Sequence, residues 1–422
     1  MKQTKFAILG AGIAGLGAAL ALRERKEEAV IFEKNISSGG LLDSININGF
    51  IFDKAVHLSF ATEGKVREVF DRTPYITHSS ESFCFDNGLW SKHPIQNNLF
   101  KLDTDEKVRL IESYVNKPNI TEIDNYADWL VDQYGIEISE KYPVRYTRKY
   151  WCTNPKDLSI TWIGDRMRRS ELSEILHGAF SEKTPNHYYT KEMRYPVMGG
   201  YKSFIQHLIE DSTIQNGAKL IKIDTKKKVL YFDNIEPIQY INLISSLPLP
   251  YLISCIESVP ADVLAVSKRL KATSMDLISI GFNKKLTNHL WFYIYDEDIY
   301  ASRAYSPSVK SPNNCPPDCS SIQFEIYSLG LNGTHTAEEL FENTIYALKK
   351  LEIASEEDIL FIKHHHEPYA NVVFYKGMED DRHKLHAYLE SKDIKICGRF
   401  GEWAYLWSNQ SLMSGYNAAL NL

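Results

Sequence analysis

The sequence has few cysteines and no long run of apolar residues. Its six cysteines are spread over 422 residues, at positions 84, 152, 255, 315, 319 and 397. Such a sparse set is not a disulfide scaffold and predicts reduced thiols. A membrane-spanning helix needs about 18 uninterrupted apolar residues. Apart from Phe6–Leu22, no stretch approaches this length, and Leu243–Ile256 is interrupted by Pro248 and Pro250. We therefore expect a cytoplasmic protein without membrane insertion.

The sequence also lacks a large excess of one charge. Its 48 basic and 54 acidic residues give a net charge of −6, with no arginine-rich arm or polybasic tail. This balance argues against a nucleic-acid-binding surface. The hydrophobic fraction of 44% and the charged fraction of 24% are typical of a globular protein, and the length suffices for about two or three hydrophobic cores.

Two short patterns could suggest a metal site, but neither supports one. Cys315 and Cys319 flank a Pro-Pro-Asp sequence without a second pair of ligands at zinc-like spacing, so a surface loop is favoured. His364-His365-His366 would place the middle ring on the opposite face of a strand from its neighbours. We interpret these histidines as a solvated strand end and predict no metal.

The first forty residues have the pattern of a dinucleotide-binding unit. Lys5–Leu9 is a predicted buried strand, and the following Gly10-Ala11-Gly12-Ile13-Ala14-Gly15 fits the G-x-G-x-x-G fingerprint. Leu16–Arg25 has helical composition, and Ala29–Phe32 is a second predicted strand that ends at Glu33. The stretch Phe6–Leu22 could pass for the core of a signal peptide, but the fingerprint within it and the lack of a cleavage site favour the nucleotide interpretation.

Each part of this unit has a physical task. Gly10 allows the tight turn, Gly12 lets the backbone approach a pyrophosphate, and Gly15 lets the helix pack closely on the strand. The helix N-terminus offers free N–H groups to the phosphates. Glu33 stands where a carboxylate accepts hydrogen bonds from the adenosine ribose.

A second glycine pair follows the ribose acid and favours FAD. Lys34 is followed by Ser37-Ser38-Gly39-Gly40-Leu41, a pattern that resembles FAD oxidoreductases of the amine-oxidase and protoporphyrinogen-oxidase type. The alternative is an ordinary turn at Gly39-Gly40. We predict that Lys34, Gly39, Gly40 and Leu41 belong to an FAD site.

The order of predicted elements suggests that the chain leaves one domain and returns to it. We predict an α/β fold with a Rossmann-type, glutathione-reductase-like FAD-binding domain made of residues 1–82, 192–262 and 390–422. A helical substrate domain is inserted at 100–191, and residues 83–99 and 263–389 form an antiparallel or mixed β-sheet domain. Within these, Phe83–Leu89 is predicted as one strand and Gly164–Leu176 as a helix.

Several later segments carry a resemblance to one family. They are His57 after a Phe-Asp segment, Pro94-x-Gln96-Asn97-Asn98, Trp151 with Trp162-Ile163-Gly164-Asp165-Arg166, Tyr195-Pro-x-x-Gly199-Gly200, Trp291-Phe292-Tyr293, Arg303, Tyr369, and Gly398-Arg399-Phe400-Gly401-x-Trp403-x-Tyr405-x-x-x-Asn409-Gln410. With the FAD signature, and in this order, they resemble the UDP-galactopyranose mutases, especially the eukaryotic-type enzymes, over nearly the whole chain.

The resemblance implies a nucleotide-sugar substrate, a role in polysaccharide biosynthesis, and a flavoenzyme reaction without net redox change. In this family the N5 atom of reduced FAD attacks the anomeric carbon, and the nucleoside diphosphate is released and recaptured as pyranose and furanose interconvert. NADPH is a possible reductant. Oligomeric state, sugar, base and reductant stay open.

The resemblance also implies roles for individual residues. Arg166 and Arg303 are expected to bind the diphosphate, because planar guanidinium groups bind phosphate in a bidentate manner. Asn409 would reach the sugar, and His57 would lie near the flavin. Tyr293, Tyr369 and Tyr405 match diphosphate contacts, and Gln96 and Trp151 match the uridine pocket. Gly199, Gly200, Arg399 and Gln410 are assigned to the cofactor.

The chain departs from the family pattern at three places. Ala55-Val56 stands where mutases usually have Gly-Gly, which questions the redox-dependent movement of the loop before His57. His93 stands in place of a tyrosine and Thr147 in place of an asparagine, so the base or the sugar can differ from those of UDP-galactose. Two alternatives stay open: an FAD oxidase or dehydrogenase of the amine-oxidase or protoporphyrinogen-oxidase type, and a flavin-binding protein without turnover.

Overall fold

The computed structural model describes residues 2–164, 167, 169–185, 190, 192–286 and 289–422. Its strands, in chain order, are β1 (Lys2–Leu9), β2 (Ala29–Phe32), β3 (Ser44–Ile47), β4 (Phe50–Asp53), β5 (Tyr75–Ser79), β6 (Phe83–Asp86), β7 (Leu89–Lys92), β8 (Glu192–Pro196), β9 (Ile214–Gln215), β10 (Leu220–Asp224), β11 (Val229–Phe232), β12 (Ile238–Ser245), β13 (Lys271–Phe282), β14 (Trp291–Ile294), β15 (Arg303–Tyr305), β16 (Ser320–Leu329), β17 (Ile359–Val373) and β18 (Ile394–Ile396).

The α-helices are α1 (Ile13–Glu24), α2 (Gly64–Phe70), α3 (Thr104–Val115), α4 (Tyr126–Ser139), α5 (Arg145–Tyr150), α6 (Leu172–Phe180), α7 (Gln206–Glu210), α8 (Leu249–Cys255), α9 (Ala261–Ser267), α10 (Pro307–Lys310), α11 (Ala337–Lys350), α12 (Met378–Glu390), α13 (Gly398–Gly401) and α14 (Ser408–Leu420). Short 3₁₀ turns occupy Gly40–Leu42, Ile95–Asn97, Pro155–Asp157, Tyr201–Ile205, Pro312–Asn314 and Glu356–Asp358, and Glu140–Val144 forms a π turn.

The first sheet has the strand order β10-β11-β12-β1-β2-β9, and β18 also pairs with β12. The pairs that β1 forms with β2 and β12 are parallel, as is the pair of β12 and β18. Ala7, Ile8 and Leu9 of β1 are buried, which is expected of a central parallel strand covered on both faces. Three distant parts of the chain therefore build one nucleotide-binding-type sheet. The residue boundaries of the domains stay a prediction.

The second sheet has the order β17-β13-β16-β15-β14-β6-β7 and is antiparallel except for the pair of β14 and β6. The segment Phe83–Leu89, which we predicted as one strand, is a hairpin of β6 and β7. Asn87 and Gly88, both with positive φ angles (49° and 80°), form its turn. An Asn-Gly pair is a strong hairpin signal in sequence, so the turn could have been predicted.

The helical part of the chain differs from the prediction at one helix. We predicted a helix over Gly164–Leu176, but α6 begins at Leu172 and ends at Phe180. Gly164 has a φ of +44°, outside the right-handed helical range. Glu171 and Glu174 form a capping box at the start of α6, which fixes the beginning of the helix.

The three consecutive histidines lie in the middle of β17, so their assignment to a strand end is wrong. His364 and His366 share one face and both contact Asp276 Oδ1, at 2.7 and 2.8 Å. His365 contacts Glu367 at 2.6 Å. Within the described residues, no group of three or more His, Cys, Asp or Glu side chains is arranged to hold a metal. The same part of the chain contains no helix both long and apolar enough to cross a membrane.

Candidate functional site

One large cavity of about 1320 Å³ collects most of the residues that the sequence singled out. Its walls come from the first sheet, the second sheet and the helical segment. Among the lining residues are Gly10, Gly12, Glu33, Lys34, Gly39, Gly40, Leu41, His57, Gln96, Trp151, Tyr293, Arg303, Tyr369, Arg399 and Tyr405. The glycine fingerprint and the proposed diphosphate-binding residues therefore face the same space.

The fingerprint forms a close strand–turn–helix junction. Gly10 has a φ of +94°, which favours glycine. A Cβ atom on Gly15 would lie 1.9 Å from the carbonyl oxygen of Gly10, so only glycine allows this approach of helix and turn. Glu33 is held in place because its carboxylate accepts hydrogen bonds from the backbone N–H groups of Ala11 at 2.8 Å and Asn35 at 2.9 Å.

The second glycine pair packs directly on the first turn. Gly39 N donates to the carbonyl oxygen of Ala11 at 2.9 Å. A Cβ atom on Gly40, which has a φ of +59°, would lie 3.1 Å from Gly12 Cα. The result is a slot bordered by bare backbone beside the N-terminus of α1. These residues fit the pyrophosphate and ribose of an FAD-type dinucleotide, which needs close backbone approach, a helix N-terminus and a ribose acceptor.

Gly199 and Gly200 are not among the residues that line the cavity. Gly200 has a φ of +76°, and a Cβ atom there would lie 2.2 Å from Ser44 Oγ. The next residue, Tyr201, donates its backbone N–H to Asp53 Oδ1 at 2.9 Å. This glycine pair therefore allows a tight turn against the hairpin of β3 and β4.

Asn409 and Gln410 are likewise not among the residues that line the cavity, although their neighbours Ser408 and Ser411 are. Asn409 Nδ2 donates to Glu63 Oε1 at 2.6 Å. Gln410 Oε1 accepts from the backbone N–H of Trp407 at 3.0 Å and caps α14. Arg166, the other residue expected at the diphosphate, lies outside the described residues.

His57 is a neutral histidine of the cavity wall. Its Nε2 lies 2.9 Å from the carbonyl oxygen of Leu41, and because a carbonyl only accepts, Nε2 carries the proton. Burial lowers the pKa of His57 to about 4, although the nearby carboxylate of Asp53 opposes this shift. Nδ1 is therefore available as a hydrogen-bond acceptor at neutral pH.

Arg303 is held by a buried carboxylate that the sequence analysis did not identify. The Arg303 Nε–H group donates to Glu325 Oε2, and Nη2 donates to the hydroxyl of Tyr327 at 3.1 Å. Glu325 has no exposed side-chain surface. These contacts fix the orientation of the guanidinium and leave further N–H groups for a ligand.

A second arginine stands with two further residues that the sequence analysis missed. Asn371 Oδ1 accepts from Arg399 Nη2 at 2.8 Å and from the Tyr150 hydroxyl at 3.4 Å. The buried atoms Asn371 Nδ2 and Arg399 Nε have no hydrogen-bond partner among the residues that the structure describes. An unpaired buried donor is costly, and since both residues line the cavity, both donors could be satisfied by an acceptor group of a bound ligand.

Tyr150 lies between the two cationic groups. The guanidinium of Arg303 lies 5.5 Å from the ring centroid of Tyr150. The Tyr150 hydroxyl and Arg399 Nη2 both donate hydrogen bonds to Asn371 Oδ1. The guanidinium carbon of Arg399 lies over the ring of Tyr405, 4.8 Å from the ring centroid. Single polar residues within strands and helices carry no spacing signal, which is why Tyr150, Glu325 and Asn371 were not predicted.

An aromatic cluster forms another part of the wall. Trp151 packs against Trp162 and Tyr405, with ring centroids 5.1 and 5.6 Å apart. The rings of His93 and Tyr293 pack with their centroids 4.6 Å apart. Burial lowers the pKa of His93 to about 4. Thr147 also lines the cavity. The two residues that replace the family's tyrosine and asparagine therefore face the cavity together with Trp151.

Known proteins match the chain at two scales. A family model for NAD(P)-binding Rossmann-like domains matches residues 8–73. The 1-hydroxycarotenoid 3,4-desaturase of Flavobacterium sp. (strain P99-3) is 47% identical over 49 residues. That match covers 12% of this chain and 10% of the desaturase, so it spans about a tenth of the curated relative's length.

Solved structures match nearly the whole chain. A crystal structure of reduced UDP-galactopyranose mutase superposes with a TM-score of 0.92 and 24% identity, covering 99% of this chain and 94% of that one. Cyclohexylamine oxidase from Brevibacterium oxydans IH-35A superposes with a TM-score of 0.68 and 12% identity, covering 99% and 98%. The predicted fold class is confirmed: the chain has a mixed α/β fold with a Rossmann-like domain, and its resemblance to UDP-galactopyranose mutase extends to the whole fold.

Proposed function

We propose that the protein is an FAD-dependent nucleotide-sugar mutase that interconverts pyranose and furanose forms of the sugar. The observation that supports this proposal most is the single cavity. It joins a dinucleotide slot at Gly12 and Gly40 to a wall that carries Arg303, Arg399 and several tyrosines. An enzyme that transfers a sugar from a diphosphate to a flavin, and then back to the diphosphate, must bind both groups next to each other in one enclosed space.

Bound FAD in its reduced form would supply the N5 nucleophile for the anomeric carbon without net oxidation of the sugar. Gly10, Gly12, Glu33, Gly39 and Gly40 would hold the dinucleotide. NADPH is a candidate for the initial reduction.

The cationic wall would hold the nucleoside diphosphate while the sugar rearranges. Arg303, with its guanidinium fixed by Glu325, would donate to phosphate oxygens. Tyr293, Tyr369 and Tyr405 would add phenol donors, and Asn371 Nδ2 with Arg399 Nε would add the two buried donors. Loss of one charged partner of a buried, bound anion typically costs about 2–5 kcal/mol, so removal of Arg303 should weaken retention of the diphosphate.

The aromatic wall would hold the base. Trp151 offers a flat apolar face, and Gln96 offers both a donor and an acceptor to the edge of a base. His93 and Thr147 face this region and would set the preference for the base. The product would be an activated furanose for polysaccharide synthesis.

The experiment is a substrate panel with the dithionite-reduced, FAD-loaded protein under anaerobic conditions. UDP-, dTDP- and GDP-linked hexoses are supplied in the pyranose form, and furanose products are separated by chromatography and identified by NMR. We expect at least one furanose product, formed in many turnovers per flavin. If no nucleotide sugar isomerises while an amine or other reduced substrate bleaches the oxidised flavin, the oxidase alternative replaces the mutase.

A further inference from the structure

Glu325 connects two parts of the cavity wall through one carboxylate. It lies on β16, directly opposite Arg303 of β15 in the antiparallel register. Its Oε2 accepts from Arg303 Nε and from the Tyr327 hydroxyl at 2.7 Å. Its Oε1 accepts from the backbone N–H of Val56 at 2.6 Å.

The Val56 bond lies in the loop that carries His57. Ala55, which precedes Val56, has a φ of +136°, a backbone conformation that residues with a Cβ atom rarely adopt. Such a conformation persists only where the surrounding contacts impose it. The hydrogen bond from Val56 to Glu325 is a contact of this kind, because it fixes the peptide group that follows Ala55.

The other end of the carboxylate is the Arg303 guanidinium. Arg303 is the ion-pair partner of Glu325 among the residues that the structure describes. A buried carboxylate depends strongly on such a partner, and the other donors given above, the Val56 N–H group and the Tyr327 hydroxyl, are neutral. If an anion binds the remaining N–H groups of Arg303, it offsets part of the positive charge that Glu325 faces. Glu325 must then rely more on the N–H group of Val56.

We propose that Glu325 is a positioning residue that couples an anionic ligand on Arg303 to the conformation of the loop Lys54–His57. Its carboxylate transmits the change without touching the ligand. The ligand is taken to be a diphosphate, so this part rests on the proposed function. The coupling of Arg303 to the loop does not.

The test is backbone hydrogen–deuterium exchange of residues 54–58 in the FAD-loaded protein, read by mass spectrometry with and without UDP or inorganic pyrophosphate. In the unmodified protein we expect either ligand to slow exchange of this loop about tenfold, the effect of strengthening one hydrogen bond to a charged group. In Glu325→Gln the ligand effect should disappear. Val56 and Arg303 donate to different oxygens of Glu325, and in glutamine one of these two atoms becomes an NH2 group that cannot accept. Ligand affinity is measured for each variant by titration of intrinsic fluorescence.

Tyr327→Phe is the matched control. It removes one donor to Glu325 Oε2 and one acceptor of Arg303 Nη2. The direct contacts of Arg303 Nε and the Val56 N–H group with the carboxylate remain, so the ligand effect on the loop should remain. A ligand effect that persists in Glu325→Gln, or that disappears equally in Tyr327→Phe, would overturn the proposal.

Arg303→Gln, studied without ligand, separates this inference from the proposed function. Removal of the cation should alter exchange of residues 54–58 even if neither UDP nor pyrophosphate binds the unmodified protein. If neither UDP nor pyrophosphate binds but Arg303→Gln changes the exchange of residues 54–58, the result would contradict the diphosphate role of Arg303. It would still support the coupling of Arg303 to the loop. An unaltered loop in Arg303→Gln would contradict the coupling whether or not the ligands bind, and this variant also serves if Glu325→Gln does not fold.

Discussion

At the scale of single residues, Ala55 is an alanine of the cavity wall with a positive φ angle. Its φ of +136° is one that glycine adopts freely and alanine does not. Replacement by glycine, the residue usual in the mutases, should therefore raise the free energy of unfolding by about 1 kcal/mol. Urea unfolding of the FAD-loaded protein measures this. Ala61→Gly, at a buried alanine outside the positive-φ residues, should destabilise instead, and equal destabilisation by both changes would contradict the argument.

Asn371 gives a second residue-scale prediction. Its buried Nδ2 has no protein partner within the described part of the chain, and we assign it to a ligand acceptor. Asn371→Asp replaces this donor with an acceptor that carries a negative charge. The dissociation constant for UDP should rise at least about tenfold, which corresponds to about 1.4 kcal/mol. A fluorescence titration measures this, and unchanged affinity would remove Asn371 from the ligand site.

The buried histidines predict how stability depends on pH. Burial lowers the pKa of His93 from about 6.5 to about 4, so the folded state resists protonation that the unfolded chain accepts. The resulting stability is fully present above pH 6.5 and is lost as the pH falls towards 4. His93→Gln should therefore lose less stability over this range than the unmodified protein, by about 3 kcal/mol. Parallel curves from urea unfolding at several pH values would contradict this.

At the scale of elements, small residues let α1 and α14 approach closely. A Cβ atom on Gly17 would lie 2.3 Å from the carbonyl oxygen of Leu412. Gly17→Ala should therefore force the helices apart and cost about 2 kcal/mol of unfolding free energy. Gly64 at the start of α2 has open space around it, so Gly64→Ala is the control and should be neutral or stabilising. Equal effects of the two changes on thermal unfolding would contradict the packing argument.

The elements also show where sequence reasoning succeeds and where it ends. The glycine fingerprint predicted β1, α1 and β2, because that turn leaves few alternative structures. The start of α6 was not predicted, although the capping box of Glu171 and Glu174 that fixes it is local. The central position of His365 in β17 was not predicted because it depends on pairing with the distant strand β13. The placement of Asn409 beside Glu63 likewise follows from packing between residues far apart in sequence. Motif order thus predicted the fold class well, and the polar contacts of the cavity poorly.

At the scale of the whole molecule, one cavity contains both the dinucleotide slot and the wall of arginines and tyrosines to which we assign a nucleoside diphosphate. Cyclohexylamine oxidase, a redox enzyme, has a similar fold. A dinucleotide slot in this fold is therefore compatible with redox chemistry as well as with mutase chemistry. Fold alone therefore does not distinguish the two chemistries. The redox state of the flavin during turnover does.

The most direct measurement follows the flavin spectrum and the product together. The FAD-loaded protein is mixed anaerobically with the nucleotide sugar that performs best in the panel, once with oxidised and once with dithionite-reduced flavin. The account predicts many furanose products per flavin in the reduced sample, a flavin spectrum that stays reduced, and no turnover in the oxidised sample. Equal turnover in both samples, or stoichiometric reduction of oxidised flavin by the nucleotide sugar, would contradict it.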